Sequence, residues 1–249
     1  RPYEREKGAT QDLQKENLRR IETAVVAGNV ADALDDSLLR LASIETDRTV
    51  KRPVIGIAGD IFAKASHQAG GDLFLWLESR GMEVWPSPVH VDFLDFSITR
   101  RFMRSLSRMA FPEMIAAGSV ALRRTFDAWR LNSMVGNRIR RLEEPGYLEL
   151  KKMAMPYITN EDDELLFVNI AKIVDFQLHG ADGIINAACF NCMVGNASAA
   201  IIEKIRRDYP DTPIITAIHA GGTDPSRQMV LEAFVGQVKE NRHRARTNR

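Results

Sequence analysis

The two cysteines of the chain stand close together in the segment Cys189-Phe-Asn-Cys192. A short apolar run, Ile184–Ala188, predicts a strand directly before them, and a predicted helix, Ala197–Asp208, begins shortly after. A thiolate beside a helix N-terminus is stabilised by the helix dipole and by unpaired N–H groups, so it is a better metal ligand or nucleophile. The pair is therefore open to three interpretations: structural cysteines, a zinc or iron–sulfur site, or a thioredoxin-like dithiol.

A metal site at this pair needs further ligands. A cubane cluster usually takes roughly three or four thiolates, and the chain has 2 cysteines. A closed zinc site could combine both with two of the three histidines His67, His90 and His219, although a single CxxC is a weak zinc pattern. We therefore expect either a cluster shared with residues outside this chain or no cluster on this chain alone.

Polar residues and glycines also follow the ends of other predicted strands. In parallel sheets, ligands bind in the crevice formed by the loops after the carboxyl ends of the strands. We expect Cys192 to face such a crevice together with Asp60 and His219. The further candidate ligand-binding residues are Gly59, Asn191, Asn196, Gly221 and Gly222.

The elements that would position these residues alternate between strand and helix, which predicts a parallel α/β sheet. Four short apolar runs bounded by turn residues supply the strands. We predict a Rossmann- or flavodoxin-like sheet in the order 2-1-3-4. The predicted strands are Val54–Ala58, Met82–Trp85, Ile184–Ala188 and Pro213–Ile218.

The remaining sequence is predicted to be largely helical. Residues 1–50 indicate a linker arm and a helical hairpin, with Thr10 capping a helix that ends at Gly28 and a second helix over Val30–Ile44. The α/β domain covers 51–238, with a helical insertion at about 97–155, and 239–249 is a frayed basic tail. Thr159 or Asn160 is expected to cap a long helix that runs to His179.

The insertion is strongly basic. Between Arg100 and Arg141 stand ten arginines and two acids, Glu113 and Asp127. We expect this stretch to pack against another protein surface, because so many like charges repel one another when they have no counter-charges. A solvated basic face or a seat for a phosphate-bearing ligand are the alternatives.

Composition excludes several classes of protein. With 249 residues, 45% of them hydrophobic and 27% charged, the chain is of ordinary globular composition. Its net charge of +1 gives no basis for nucleic-acid binding by bulk charge. Two cysteines exclude a disulfide framework and favour a reducing, cytoplasmic location, and no apolar run predicts a membrane span. Because the first residue is Arg1, we expect the chain to be part of a longer polypeptide.

The segment Ala181–Asn196, with its Cys-Phe-Asn-Cys-Met-Val-Gly-Asn ending, resembles the C-terminal region of CoA-substrate-specific enzyme activases. That family is related to the activators and components of 2-hydroxyacyl-CoA dehydratases. Val54–Ile61, Gly81–Val84 and Leu231–Phe234 resemble neighbouring parts of the same family. The similarity covers roughly Arg52 to Val238.

The resemblance implies an oxygen-sensitive electron-transfer system. In the family, an ATPase module drives electrons at low potential into an iron–sulfur component that acts on acyl-CoA substrates. Cys192 matches the family cysteine most directly, and Cys189 is the second implied ligand. ATP would bind another module, and the implied partners are the other domains of the parent polypeptide and an acyl-CoA dehydratase or reductase component.

Overall fold

A computed structural model describes residues 1–65, 73–88, 96–135, 144–159, 163–220 and 225–247. By packing, the chain divides into two compact units. One is an α/β unit formed by Arg52–Arg104 and Pro145–Arg249, and the other is a helical unit formed by Arg1–Lys51 and Ser105–Glu144. None of the helices in these described ranges is long and apolar enough to cross a membrane.

The α/β unit is built on a four-stranded parallel sheet in the order 2-1-3-4, which confirms the predicted fold. Each strand lies within one residue of its predicted position at either end. The central strands are short apolar runs that are buried on both faces, as is typical of parallel sheets. The strands are β1 Val54–Gly59, β2 Glu83–Pro86, β3 Gly183–Cys189 and β4 Ile214–His219.

Helices cover both faces of the sheet, and successive strand residues point into opposite layers. On β3, Ile184 packs in the layer with α8 and α9, while Ile185 packs in the layer with α10. The helices of this unit are α3 Ile61–Ala65, α4 Leu73–Ser79, α5 Phe96–Ser107, α7 Tyr147–Ala154, α8 Glu164–Leu178, α9 Met193–Asp208 and α10 Pro225–Thr247, with the last turn of α5 passing into the helical unit.

Two predicted helix starts in the α/β unit are wrong. α8 is capped by Asp163, whose carboxylate accepts a hydrogen bond from the Leu166 N–H at 3.1 Å, and not by Thr159, while Asn160 lies outside the described residues. α9 begins at Met193 and not at Ala197, because Cys192 itself caps the helix. Both errors concern capping side chains, whose contacts depend on the local path of the backbone.

The predicted frayed tail is also wrong, because α10 continues to Thr247. Beyond Val238 this helix is held by polar contacts. Arg242 donates to the Asp182 carboxylate at 2.7 Å and to the Arg52 carbonyl at 2.8 Å, and Asn241 donates to the Asp211 carbonyl at 2.9 Å. These partners are distant in sequence, so no apolar periodicity marks this end of the helix.

The helical unit contains α1 Ala9–Ala27, α2 Val30–Ala42 and α6 Phe111–Val135. Gly28, in the left-handed region at φ +79°, ends α1 as predicted. Thr10 is not the cap of α1, because the Glu4 carboxylate accepts from the N–H groups of both Gly8 and Thr10. The N-terminal arm is thus fixed in place. It is paired further through a bridge between Glu4 and Thr46.

Candidate functional site

The cysteine segment lies where the sequence places it, at the carboxyl edge of the sheet. Cys189 is the last residue of β3 and pairs in register with His219, the last residue of β4. A tight turn follows, in which Asn191 adopts φ +58° and Phe190 donates its N–H to the His219 carbonyl at 2.8 Å. The chain then enters α9 at Met193. Asparagine is one of the residue types other than glycine that adopt a positive φ more often than most.

Gly59 brings the end of β1 close to β3. Its φ is +115°, and a Cβ placed there would lie 2.0 Å from the Ala187 carbonyl oxygen. Only glycine fits this position, because a side chain would both strain the backbone and collide with β3. The next residue, Asp60, donates its N–H to the same carbonyl at 2.7 Å. The close approach of the two strands therefore sets the position of the Asp60 carboxylate.

Asp60 faces Cys189. The Cys189 thiol donates to Asp60 Oδ1 at 3.4 Å, and the same oxygen accepts from the Ala63 N–H at 2.9 Å, which caps α3. Burial, and then the hydrogen bond and negative charge of Asp60, raise the pKa of the Cys189 thiol above its ordinary value. Cys189 is therefore held as a neutral thiol near neutral pH.

Cys192 has a different environment. Its Sγ accepts a hydrogen bond from the Gly195 N–H at 3.4 Å, so the sulfur caps the first turn of α9. Gly195 packs tightly, since a Cβ there would lie 2.6 Å from the Ala188 Cβ. A backbone N–H and the positive end of the helix dipole therefore both act on this sulfur. Both cysteines are free and half-buried.

The structure brings Cys189 to Asp60, which it contacts, and to His219, with which it pairs. The contact described for the Cys192 sulfur is with the Gly195 N–H, and its place in a crevice with Asp60 and His219 stays a prediction. Asn196, in the first turn of α9, is exposed. His67, His90, Gly221 and Gly222 lie outside the described residues.

His219 is engaged by a neighbouring arginine. Its Nδ1 lies 3.2 Å from Nη1 of Arg227 on α10. A guanidinium can only donate, so Nδ1 accepts and the ring proton belongs on Nε2. Neither ring nitrogen then offers a lone pair to a metal. This arrangement argues against His219 as the third ligand of a zinc site with the two cysteines.

Sequence reasoning missed a buried polar network beneath the site. Asn186, in the middle of β3, accepts from Asn169 Nδ2 of α8 at 3.0 Å, and its own amide donates to Thr216 at 3.4 Å. Asn169 also donates to Ser198 of α9 at 2.8 Å. The signal that could have found it is Asn186 itself, a polar residue inside an otherwise apolar strand.

A second buried pair lies on α8. Lys172 is fully buried and donates to Asp175 Oδ2 at 2.6 Å. His179, one turn further along, places its Nδ1 2.8 Å from Asp175 Oδ1. Asp175 is thus contacted on both oxygens from within its own helix, which explains how a buried carboxylate is accommodated.

Within the described part of the chain, no three or more His, Cys, Asp or Glu side chains come together in a way that could hold a metal ion. Comparison with known proteins adds nothing to this, since no family model, curated protein or solved structure matches the chain.

Proposed function

We propose that this chain is a module of an ATP-driven, low-potential iron–sulfur electron-transfer system of the 2-hydroxyacyl-CoA dehydratase or reductase activase type. In this proposal Cys189 and Cys192 contribute thiolate ligands, and ATP binds on another module. The remaining ligands come from other domains of the parent polypeptide or from an acyl-CoA dehydratase or reductase component. The chain supplies some of the ligands of the cluster, and it does not catalyse the reaction without the other components.

The observation that carries the proposal is a set of exposed apolar side chains that stand next to the half-buried cysteines and Asp60 in the chain, here called the rim. Phe190, between the two cysteines, and Met193, directly after Cys192, are 72% and 75% exposed. Phe62, at the start of α3 beside Asp60, is 59% exposed. Large apolar side chains grouped around a polar site are typical of surfaces that a partner covers. A partner seated on this rim would bring its own ligands next to the two thiols.

The two cysteines supply half of the ligands that an iron–sulfur cluster usually has. Iron–sulfur clusters are held by about four thiolates, so the two cysteines of this chain leave the set incomplete. When bound, such a cluster would supply one-electron transfer at low potential.

The protein groups around the two sulfurs have distinct roles in this proposal. The Gly195 N–H and the N-terminus of α9 stabilise negative charge on the Cys192 sulfur. In the chain without a cluster, the Asp60 carboxylate accepts the hydrogen bond of the Cys189 thiol, and binding as a ligand would require this proton to be lost. Hydrogen bonds to sulfur ligands are one means by which a protein tunes the potential of a cluster.

The test is the iron and sulfide content of the anaerobically purified parent polypeptide, measured beside this chain alone. We expect iron and acid-labile sulfide in the parent and none in the isolated chain. In the parent, Cys192→Ser should remove or weaken the cluster absorption, and Cys189→Ser should do so less. Met229→Ala, at an exposed position in the same unit, is the control and should change neither quantity.

Two results would overturn the proposal. One is a parent protein without iron and sulfide when purified anaerobically. The other is a cluster that survives the double change Cys189→Ser and Cys192→Ser. Stoichiometric zinc in the isolated chain, lost in the same double variant, would favour a zinc site instead.

A further inference from the structure

The turn after β3 places the two cysteines at a separation that a disulfide can bridge. The Cys192 N–H donates to the Cys189 carbonyl at 3.1 Å, which closes a β-turn over four residues. Such a turn keeps its first and last Cα atoms within about 7 Å, and a disulfide joins Cα atoms that are about 4.4–6.8 Å apart. Asn191, at φ +58°, and the hydrogen bond from the Phe190 N–H to the His219 carbonyl hold this turn at the end of the strand.

The two sulfurs take opposite roles in their hydrogen bonds. The Cys192 sulfur accepts from the Gly195 N–H at 3.4 Å, whereas the Cys189 thiol donates to Asp60 Oδ1 at 3.4 Å. A sulfur that accepts a hydrogen bond at the N-terminus of a helix is suited to attack another sulfur atom. A thiol that donates to a carboxylate has a proton acceptor already in contact with it. The pair therefore combines an attacking sulfur with a second sulfur beside a base.

A small reagent can reach the turn. Both cysteines are half-buried and free, so neither is enclosed in the core. The residue between them that follows Cys189, Phe190, is 72% exposed, and Met193 directly after Cys192 is 75% exposed. A thiol that is both nucleophilic and accessible exchanges with disulfides in solution.

We propose that Cys189 and Cys192 are a redox-active dithiol, which forms an intramolecular disulfide by exchange with a low-molecular-weight disulfide. Cys192 attacks one sulfur of the external disulfide, which forms a mixed disulfide and releases one thiolate. Cys189, whose proton passes to Asp60, then attacks the Cys192 sulfur and releases the second thiolate. The dithiol gives up two electrons and two protons, and the external disulfide becomes two thiols.

Disulfide formation and cluster binding exclude one another, because the same two sulfurs cannot be joined to each other and also bind iron as thiolates. Oxidation would therefore withdraw both ligands from the cluster, and this consequence alone rests on the proposed function. The disulfide is tested on the chain without iron, whereas the cluster is tested in the parent polypeptide. Failure of one experiment is thus distinguishable from failure of the other.

The test equilibrates the full chain with mixtures of reduced and oxidised glutathione, in the absence of air and in the presence of a metal chelator. Free thiols are then alkylated and counted by intact mass. We expect the doubly alkylated chain to be replaced by a chain that carries neither an alkyl group nor glutathione. The ratio of disulfide to dithiol should be at least roughly tenfold higher in the folded chain than in urea, because the turn holds the two residues together before the bond forms.

Substitutions separate the roles of the three side chains. Cys189→Ser should accumulate the mixed disulfide of glutathione on Cys192, since the second step is lost. Cys192→Ser should form its adduct at least roughly tenfold more slowly, since the remaining thiol is bound to a carboxylate. Asp60→Asn should lengthen the lifetime of the mixed disulfide severalfold. The matched control is Asp163→Asn, which alters the capping carboxylate of α8 and should leave this lifetime unchanged.

Other outcomes overturn the proposal. Two glutathiones bound to one chain, or disulfide-linked dimers on a non-reducing gel, would show that the two sulfurs do not reach each other. Equal ratios in the folded and the unfolded chain would show that the turn does not favour the bond. Faster formation of the adduct in Cys192→Ser than in Cys189→Ser would contradict the assigned order of attack, and equal lifetimes in both aspartate variants would exclude Asp60 as the base.

Discussion

Helices α8 and α6 differ in which of their side chains are buried. In α8, ten consecutive residues from Phe167 to Phe176 are buried, although three of them are Asn169, Lys172 and Asp175. In α6, only Ala117 is buried among the side chains described, although the helix carries two phenylalanines and a tryptophan. The first helix satisfies its polar groups inside the protein, while the second leaves its apolar groups outside. Burial therefore follows the position of a helix in the fold and not its average composition.

The largest expected effect comes from breaking the buried ion pair of α8. Lys172→Met removes the partner of a carboxylate that is itself buried, and such changes cost about 3–5 kcal/mol. Urea denaturation should show a lower free energy of unfolding. The double variant Lys172→Met/Asp175→Leu removes both charges and should recover most of the loss. A loss below about 1 kcal/mol in the single variant would contradict a structural role for the pair.

A tight contact between β1 and α8 should give the next effect. A Cβ at Gly56 would lie 2.6 Å from the Phe176 ring, so Gly56→Ala should destabilise the protein by about 1–3 kcal/mol through overpacking. Gly236→Ala on α10 is the control, because nothing lies within 4 Å of a Cβ there. In thermal unfolding, the control should be neutral or stabilising by up to about 1 kcal/mol. Equal changes in stability at both glycines would show that helix and strand propensity, and not packing, determine the effect of the added methyl group.

The hydrogen bonds that Asn169 of α8 donates to Asn186 and Ser198 should contribute less to the free energy of unfolding than the ion pair of the same helix. Asn169→Ala leaves Asn186 and Ser198 without their donor, which costs about 1–2 kcal/mol for buried neutral groups. Ser119→Ala on α6 is the comparison, since that exposed hydroxyl only donates to the Ala116 carbonyl of its own helix. Chemical denaturation of the two variants measures the difference. A neutral Asn169→Ala would mean that the network does not stabilise the fold.

The smallest expected effect is on the exposed apolar side chains of α6. Leu122 is 74% exposed, so Leu122→Ala should change the free energy of unfolding by less than about 0.5 kcal/mol. Ile170→Ala in α8, where the side chain is fully buried, should cost about 2–5 kcal/mol in the same assay. A large loss in Leu122→Ala would show that this side chain is covered within the protein in solution.

The sheet could be predicted from the sequence, while the helix ends could not. Four apolar runs separated by turn residues define strands, and the preference for right-handed parallel crossovers restricts their order. Helix starts were missed where a cap came from an unexpected group, such as the Glu4 carboxylate for α1 or the Cys192 sulfur for α9. These caps depend on where a loop places one side chain, which no periodic pattern records.

The candidate site was predicted in part. The position of Cys189 and Cys192 at the carboxyl edge follows from a strand before them and a helix after them. The contact between Cys189 and Asp60 did not follow, because it depends on how closely the end of β1 approaches β3 at Gly59. The contact between His219 and Arg227 was missed as well, since it joins a strand end to a separate helix.

By itself, the sequence of this protein determined the layered α/β architecture, because the order of strands and helices arises from the spacing of apolar residues along the chain. Only the tertiary structure decided that Asn169, Asn186 and Ser198 form one network and that α10 is anchored through Arg242 to Asp182. Such contacts join residues far apart in sequence. They depend on distances of a few ångströms between elements, and those distances exist only once the core has packed.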